Sequence, residues 1–360
     1  MLLDYLEYAP AAAAPDVASS AALIGRATAG ADLRLRDCAT VRADGEWIRM
    51  GANVYFGERA TVHIADGVLG TLIGDNVTVG RYGLVHACTL GAGVVIGEAA
   101  SVLDGAAVGP YSLLAGDCLV PPRKHLPGGF LYAGNPAQPV REITRAEVAD
   151  AARAIRAGLT NAHVAAGALP PLSLAPFVPD ADRGGPLHTY AGHSPRITHA
   201  FIAPTSAVVG MVDVGDSASV FFGCAVVAGG ARIVIGARTN VQDNSLLVTD
   251  RARGDLVIGA GATIGHNVQM GSAQIGDDAL IGMGSRMDDE VIVEADGCVA
   301  AGAWVERGAV VKSGWIWAGR PARPFREIKP AEREAFGRFR DIYVGYSAAY
   351  RAEPVRHRGG

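Results

Sequence analysis

Three histidines occupy positions that complete one metal site only when two halves of the chain are combined. Residues 73–80 are repeated at residues 258–265, which indicates an internal duplication. In that register the two copies differ at the ligand positions, where His63, Arg81 and His86 correspond to Val248, His266 and Gly271. Each position keeps one histidine, so the pattern predicts a single three-histidine site shared between two diverged copies.

A metal ion held by three histidines has a definite chemistry. Neutral imidazoles leave the cation its full charge, and a fourth coordination position stays open for water. Zinc lowers the pKa of such a water to about 7, which makes hydroxide available at neutral pH. The residues therefore predict a hydration or hydrolysis reaction with Zn²⁺ as cofactor, and Fe²⁺ or Co²⁺ as alternatives.

The elements that would hold these ligands follow from a six-residue repeat. An aliphatic residue, usually followed by glycine, recurs at positions 73, 79, 85, 90, 96 and 102, and again at 258, 264, 270, 275, 281 and 287. A helical solenoid is excluded, because its units need about 33 residues or more. The spacing predicts an all-β fold: two parallel β-helices with three short strands per turn of about 18 residues, their aliphatic residues stacked inward.

Helices are predicted to cap both coils, because the last turn of a solenoid has no partner. Thr144 and Glu147 form a capping-box pattern ahead of a helix that carries Val148, Ala152, Ile155 and Leu159 on one face. Pro330 begins a second helix, whose aromatic residues at helical spacing are Phe336, Phe339, Tyr343, Tyr346 and Tyr350. The predicted domains are a first β-helix with its cap helix at 20–168, a Pro/Gly-rich linker at 169–196, and a second β-helix with its cap helix at 197–352.

The composition indicates which binding partners and which cellular compartment to expect. The net charge is −4 and no block of lysine or arginine stands out, so neither a nucleic acid nor an anionic membrane surface is indicated. Five dispersed cysteines without a CxxC pair are typical of buried thiols in a reducing compartment. The sequence also lacks the pattern of a signal peptide and any apolar run approaching the ~18 residues of a membrane span. We therefore expect a soluble, cytoplasmic protein.

Several segments closely resemble the γ-class carbonic anhydrases. In the first copy they are Val41-Arg42-Ala43-Asp44, Thr61-Val62-His63, Leu84-Val85-His86-Ala87-Cys88, Val120-Pro121-Pro122 and Ala133-Gly134-Asn135-Pro136; in the second they are 219–223, 235–243 and 264–266. The resemblance spans most of the chain outside the linker and the termini. It implies left-handed β-helices that usually form trimers, with a metal between neighbouring subunits. Two histidines of that site correspond to His63 and His86, and the third, from the facing subunit, corresponds to His266.

The resemblance also implies supporting residues. An Arg-x-Asp element, associated with contacts across the interface, corresponds to Arg42 and Asp44, and its second-copy counterparts are expected to be Ala228 and Gly230 in a loop one residue shorter. An Asn-x-Gln element corresponds to Asn240 and Gln242, which become Tyr55 and Gly57 in the first copy. Gln242 is expected to orient water or substrate with Asn240 supporting it, and Arg42 with Asp44 to hold the interface geometry.

The function implied is that of a metal-dependent lyase that hydrates CO2 to bicarbonate, with hydration, dehydration or cyclisation of a larger metabolite left open. The partners expected are a small-molecule substrate and further copies of the chain in a homo-oligomer, possibly a trimer. Two alternatives remain. One is a hexapeptide-repeat acyltransferase that uses a histidine as general base without a metal. The other is a non-catalytic structural subunit that has lost its ligands by decay.

Overall fold

The computed structural model describes residues 1–158 and 185–353, and these divide into two compact units. The first unit comprises residues 1–158 and the second comprises residues 185–353. Each is a left-handed parallel β-helix followed by one C-terminal helix, as the sequence predicts. The two units are described separately below.

The first unit contains the following strands and helix: β1 Leu2–Leu3, β2 Ala11–Ala12, β3 Asp16–Val17, β4 Ala22–Ala29, β5 Arg34–Leu35, β6 Thr40–Met50, β7 Tyr55–Phe56, β8 Thr61–His63, β9 Thr71–Ile73, β10 Thr78–Val79, β11 Leu84–His86, β12 Thr89–Leu90, β13 Val95–Ile96, β14 Ser101–Val102, β15 Ala107–Val108, β16 Leu113–Leu114, β17 Leu119–Val120, β18 His125–Leu126, β19 Phe130–Ala133, β20 Gln138–Glu142 and α1 Arg145–Arg156.

The second unit contains β21 Leu187–His188, β22 Arg196–Ile197, β23 Phe201–Ile202, β24 Ala207–Val214, β25 Ser219–Val220, β26 Ala225–Ile235, β27 Asn240–Val241, β28 Leu246–Asp250, β29 Leu256–Ile258, β30 Thr263–Ile264, β31 Gln269–Met270, β32 Ala273–Ile275, β33 Leu280–Ile281, β34 Arg286–Met287, β35 Val291–Val293, β36 Cys298–Val299, β37 Trp304–Val305, β38 Val310–Val311, β39 Trp315–Gly319, β40 Ala322–Glu327 and α2 Pro330–Ala352.

Strands of successive coils pair in parallel, so residues one coil apart stand side by side. In the first unit one sheet runs β17-β14-β11-β8-β6-β9-β12-β15-β18, and the long strand β6 passes from one face of the coil to the next. The remaining face runs β20-β19-β16-β13-β10-β7-β5-β3, and β19–β20 is its antiparallel pair. The second unit repeats this arrangement with β26 in the place of β6. This stacking places equivalent residues of adjacent coils within contact distance.

The repeated aliphatic residues form the two cores. The side chains at 73, 79, 85, 90, 96 and 102, and at the six corresponding positions of the second copy, are all at most 3% exposed. Glycine is required at this position of the repeat for a steric reason, as Gly74 shows. A Cβ atom on Gly74 would lie 2.7 Å from the backbone N of Ala92 on the next coil, closer than real contacts allow. The corner therefore excludes every larger side chain, as the six-residue repeat predicts.

Both cap helices begin where the sequence predicts. Thr144 accepts from the backbone N–H of Glu147 and the Glu147 carboxylate accepts from that of Thr144, which completes the capping box of α1. α2 begins at Pro330 and buries Tyr343, Tyr346 and Tyr350, while Phe339 stays 47% exposed. Leu159, predicted on the buried face of the first cap, lies outside the described residues. The aromatic residues from Tyr343 to Tyr350 therefore lie in the core, whereas Phe339, nearer the start of the helix, lies at the surface.

The described strands extend beyond two of the predicted domain limits. β1 to β3 precede residue 20, and β1 pairs with β4 in parallel. Within the predicted linker, residues 169–184 lie outside the described residues, whereas β21 and β22 both pair with β24. The boundaries at 20–168, 169–196 and 197–352 stay predictions. No described helix is both long enough and apolar enough to cross a membrane.

The register corrects the expected counterparts of the Arg-x-Asp element. β6 and β26 are equally long, and Thr40 pairs with Ala22 as Ala225 pairs with Ala207, so no residue is missing from the second copy. Arg42 therefore corresponds to Val227 and Asp44 to Gly229. The expected pair Ala228 and Gly230 was wrong by one residue, because it assumed a shortened loop. The charged pair is still absent from the second copy.

Candidate metal centre

Two of the predicted ligands stand side by side on neighbouring coils of the first unit. His63 ends β8, His86 ends β11, and the two are direct register partners in that parallel pair. Their rings lie 5.3 Å apart between centroids, and His63 Nδ1 is 3.3 Å from His86 Nε2. Both side chains are buried. The coil repeat alone thus brings the two imidazoles together.

The outer nitrogen of each ring contacts a carboxylate. His63 Nε2 lies 3.1 Å from Asp44 Oδ1, and His86 Nδ1 lies 2.5 Å from Asp104 Oδ1. A carboxylate on one ring nitrogen holds that nitrogen protonated and leaves the other as a lone-pair donor, an arrangement typical of metal-binding histidines. The lone pairs of His63 Nδ1 and His86 Nε2 therefore face each other.

The spacing of these two nitrogens fits a tetrahedral metal ion. Zinc binds imidazole nitrogen at about 2.0–2.1 Å, so two nitrogens on one tetrahedral zinc lie about 3.3 Å apart. The separation of His63 Nδ1 and His86 Nε2 is 3.3 Å. The donor pair in the first unit is thus compatible with zinc in type and in distance.

A buried ion pair supports His63. Arg42 and Asp44 lie on β6, both side chains are inaccessible to solvent, and the Arg42 guanidinium donates to Asp44 Oδ2. Asp44 also contacts His63 Nε2 through its other oxygen. The first unit therefore brings Arg42, Asp44, His63 and His86 into one connected network, in which the Asp44 carboxylate links Arg42 to His63.

Two buried thiols, one in each unit, have raised pKa values. Burial raises the pKa of the Cys88 thiol far above its usual value, and the Asp104 carboxylate raises it further. Burial likewise raises the pKa of Cys298, to about 12. In the absence of a metal, both thiols are therefore neutral at physiological pH.

The third predicted ligand lies in the second unit, in the turn after β30. His266 is fully buried, with Nδ1 3.1 Å from Asp243 Oδ2 and Nε2 3.1 Å from the Tyr343 hydroxyl on α2. Asp243 Oδ1 in turn accepts from the backbone N–H of Phe222. A carboxylate at Nδ1 again leaves Nε2 as the nitrogen with a lone pair.

Two buried amide side chains, Asn240 and Gln242, lie just before Asp243 in the second unit. Gln242 Nε2 donates to Asn240 Oδ1 over 3.0 Å, and Asn240 Nδ2 donates to Thr263 Oγ1 over 3.0 Å. Both amide side chains are buried. The chain Thr263–Asn240–Gln242 fixes the orientation of the Gln242 amide, which agrees with a supporting role for Asn240.

At the positions equivalent to the three histidines, the other copy carries residues that are not metal ligands. Arg81, the counterpart of His266, donates from Nε and Nη2 to Glu98 Oε1 in a partly exposed ion pair. In the second copy Val248 and Gly271 replace the two paired histidines. Each unit therefore holds only a part of a three-histidine set, as the sequence comparison predicts.

Comparisons with known proteins show the family. No family model matches the chain. A carbonic anhydrase of Geobacillus kaustophilus is 34% identical over 167 residues, which cover 46% of this chain and 91% of that protein. The chain belongs to the γ-carbonic-anhydrase-like family of hexapeptide-repeat proteins. Gamma carbonic anhydrase 1, a mitochondrial protein of Arabidopsis thaliana, is also 34% identical, over 162 residues.

The matches to γ-carbonic-anhydrase-like relatives are partial. The Arabidopsis match covers 44% of this chain and 59% of the plant protein, so the chain spans less than two thirds of that relative. Both matches cover less than half of this chain. Among solved structures, a hexapeptide transferase family protein from Anaplasma phagocytophilum is 37% identical over 46% of this chain and 97% of its own, with a TM-score of 0.44.

Sequence reasoning missed three residues of this γ-carbonic-anhydrase-like chain that contact the histidines. They are Asp104, Asp243 and Tyr343. Asp104 lies one coil after His86, and Asp243 lies one coil before His266, since Asn240 pairs with Thr263. The coil repeat was therefore a signal for both carboxylates. Tyr343 comes from the cap helix, and only the packing of that helix brings it to His266.

Proposed function

We propose that this chain is a metal-dependent lyase that hydrates CO2 to bicarbonate at a zinc ion held by His63, His86 and His266. The first two ligands come from the first copy and the third from the second copy, of the same chain or of a neighbouring chain in a homo-oligomer. Fe²⁺ or Co²⁺ serves the same ligand set. The proposal extends the family membership to a specific site and reaction.

One observation carries the proposal. His63 Nδ1 and His86 Nε2 face each other at 3.3 Å, and the opposite nitrogen of each ring contacts a carboxylate. Without a metal, one of these two nitrogens must carry a proton to hydrogen-bond the other, in competition with the carboxylate at the opposite nitrogen of its ring. Around a cation the same arrangement supplies two neutral donors of fixed tautomer. This supports metal binding over the acyltransferase alternative, which needs one histidine as base.

Each residue has a defined task in the proposed reaction. His63, His86 and His266 would hold the zinc ion, and the chemistry that zinc would supply there is a lowering of the pKa of water to about 7, which favours hydration of CO2. Asp44 and Asp104 hold the tautomers of His63 and His86. Gln242, oriented by Asn240, hydrogen-bonds the attacking water or the substrate. Arg42 donates to the Asp44 carboxylate and holds it in place.

Metal content and CO2 hydration test the proposal together. The purified chain is expected to contain about one zinc, iron or cobalt ion and to hydrate CO2 in a stopped-flow indicator assay. His63→Ala is expected to lose both properties, while His125→Ala, which changes an exposed histidine on β18, keeps both. Metal-free protein that consumes acetyl-CoA would overturn the proposal in favour of an acyltransferase. Metal-free protein without either activity would identify a structural subunit.

A further inference from the structure

Each ring nitrogen of His266 lies close to a polar group of its own unit. Nδ1 lies 3.1 Å from Asp243 Oδ2, and Nε2 lies 3.1 Å from the Tyr343 hydroxyl. His266 is fully buried and Tyr343 is 7% exposed, so bulk water does not compete for these contacts. The imidazole thus has the Asp243 carboxylate beside Nδ1 and a hydrogen bond to the Tyr343 hydroxyl at Nε2.

The position of the ring proton follows from the chemistry of the partners. The negative charge of the Asp243 carboxylate, 3.1 Å from Nδ1, electrostatically favours the tautomer of His266 in which Nδ1 carries the proton. Nε2 is then the acceptor, and the Tyr343 hydroxyl donates to it. A donor lies near the direction of the lone pair that accepts from it. The Tyr343 oxygen therefore occupies the approach that a metal ion on Nε2 must use.

The distances exclude simultaneous occupancy. A zinc ion on Nε2 would stand about 2.0–2.1 Å from that nitrogen, along the same lone pair. The Tyr343 oxygen stands 3.1 Å from Nε2, and in line with the lone pair it would lie only about 1 Å from such an ion. Zinc–oxygen bonds need about 2.0 Å or more. Metal binding must break the hydrogen bond and displace the Tyr343 hydroxyl.

We propose that Tyr343 is a positioning residue that competes with the metal for His266 Nε2, so that metal loading shifts Tyr343 and the helix that carries it. This inference rests on the proposed role of His266 as a ligand. Without a metal, the Tyr343 hydroxyl hydrogen-bonds to His266 Nε2. When a metal binds Nε2, the hydroxyl moves away. Metal affinity is therefore set partly by α2.

The packing of Tyr343 explains why the shift reaches the helix. Its ring makes edge-to-face contacts with Phe221 at 5.2 Å and with Tyr346 at 5.6 Å between centroids. Buried rings packed at this density do not move alone, because their neighbours leave no free space. Displacement of the hydroxyl is thus transmitted to Tyr346 on the same helix and to the coil beneath it.

Among the described residues, a tyrosine contacts the histidine position from the cap helix in the second copy but not in the first. α1 is 12 residues long and ends at Arg156, whereas α2 is 23 residues long. The counterpart of Tyr343 is Gly158, beyond the end of α1. The copy with Arg81 in place of the third histidine therefore also lacks the tyrosine, which is consistent with a function tied to His266.

Zinc affinity of full-length variants tests the inference. Tyr343→Phe keeps the ring and its packing but removes the competing hydroxyl. It is expected to bind zinc about fivefold tighter than the wild type in competition with a chelating dye, since a neutral hydrogen bond is worth about 1 kcal/mol. The matched control, Tyr350→Phe, removes a hydroxyl from the same helix, and its ring stacks on Phe201 away from His266. It is expected to match the wild type.

Two further measurements separate competition from a merely structural role. Zinc is expected to change the ultraviolet tyrosine absorbance of the wild type and of Tyr350→Phe, and to leave that of Tyr343→Phe unchanged. In the wild type, zinc is expected to alter hydrogen exchange across α2 but not across α1. Equal or weaker zinc affinity of Tyr343→Phe, or unaltered exchange in α2, overturns the inference alone. Failure of the wild type itself to take up zinc overturns the proposed function and this inference together.

Discussion

His86 Nε2 lies 3.3 Å from His63 Nδ1 because the two residues are register partners on successive coils of one β-helix. The backbone spacing of parallel strands, about 4.7–4.9 Å, sets how far apart their side chains begin. A rigid ladder with this repeat holds two metal ligands within the narrow tolerance that coordination requires. The carboxylates then decide which nitrogen each ring presents.

Loss of either half of the ligand set is expected to abolish metal binding. His266→Ala should retain no more zinc after dialysis than His63→Ala, because two histidines without the third hold the ion far less tightly. His125→Ala, an exposed histidine outside the set, should retain the wild-type stoichiometry. Atomic emission of the dialysed proteins gives the measurement. Full metal content in His266→Ala would show that the site is not shared between the copies.

The Asp104 carboxylate is expected to tune metal affinity. Asp104→Asn leaves His86 Nδ1 without an anionic partner, and changes of this kind cost about 10- to 100-fold in metal affinity. Asp289, the counterpart of Asp104 in the second copy, provides the control. It accepts from the backbone N–H of Ser272, one residue after the Gly271 that replaces the histidine. Asp289→Asn should leave zinc affinity unchanged, and equal losses in both variants would contradict the role given to Asp104.

Removal of Arg42 is expected to destabilise the first unit. The Arg42 and Asp44 side chains are inaccessible to solvent, so Arg42→Gln leaves a buried carboxylate without its cation. Such a change costs about 3–5 kcal/mol in the free energy of unfolding. Arg81→Gln breaks the partly exposed pair with Glu98 and should cost less than about 1 kcal/mol. Urea unfolding of both variants measures the difference, and similar midpoints would refute it.

Acid is expected to fray both cap helices. Hydrogen bonds from the Thr144 backbone N–H and from Arg141 lower the pKa of Glu147 from 4.5 to about 2, and hydrogen bonds from Arg326 and the Lys329 backbone lower that of Glu332 equally. A lowered pKa means that the stabilisation is complete above about pH 4.5 and is lost as the pH falls toward 2.

Circular dichroism at 222 nm between pH 6 and pH 2 measures this loss. The double variant Glu147→Gln/Glu332→Gln keeps two capping side chains that do not titrate, so its helical signal should stay flat over the interval in which the wild type declines. An equal decline in both proteins would show that other carboxylates control the helix ends.

The coil and its ends were predictable from local pattern. The aliphatic repeat, its glycine corners, the Thr144–Glu147 capping box and Pro330 depend on residues close in sequence, and each is confirmed in the described residues. The duplication was visible for the same reason, since both copies preserve these local signals at a constant offset. The error at Ala228 and Gly230 arose where no such signal exists, in the middle of a long strand of altered composition.

The sequence by itself thus determined the two β-helices, their caps and the identity of the histidines. The repeat period also placed Asp104 beside His86 and Asp243 beside His266, because residues one coil apart are neighbours along the coil axis. The tertiary structure decided which ring nitrogen each carboxylate contacts, and it alone brought Tyr343 on α2 to His266. The physical reason is that the packing of a cap helix against a coil depends on long-range burial, and no short-range spacing encodes it.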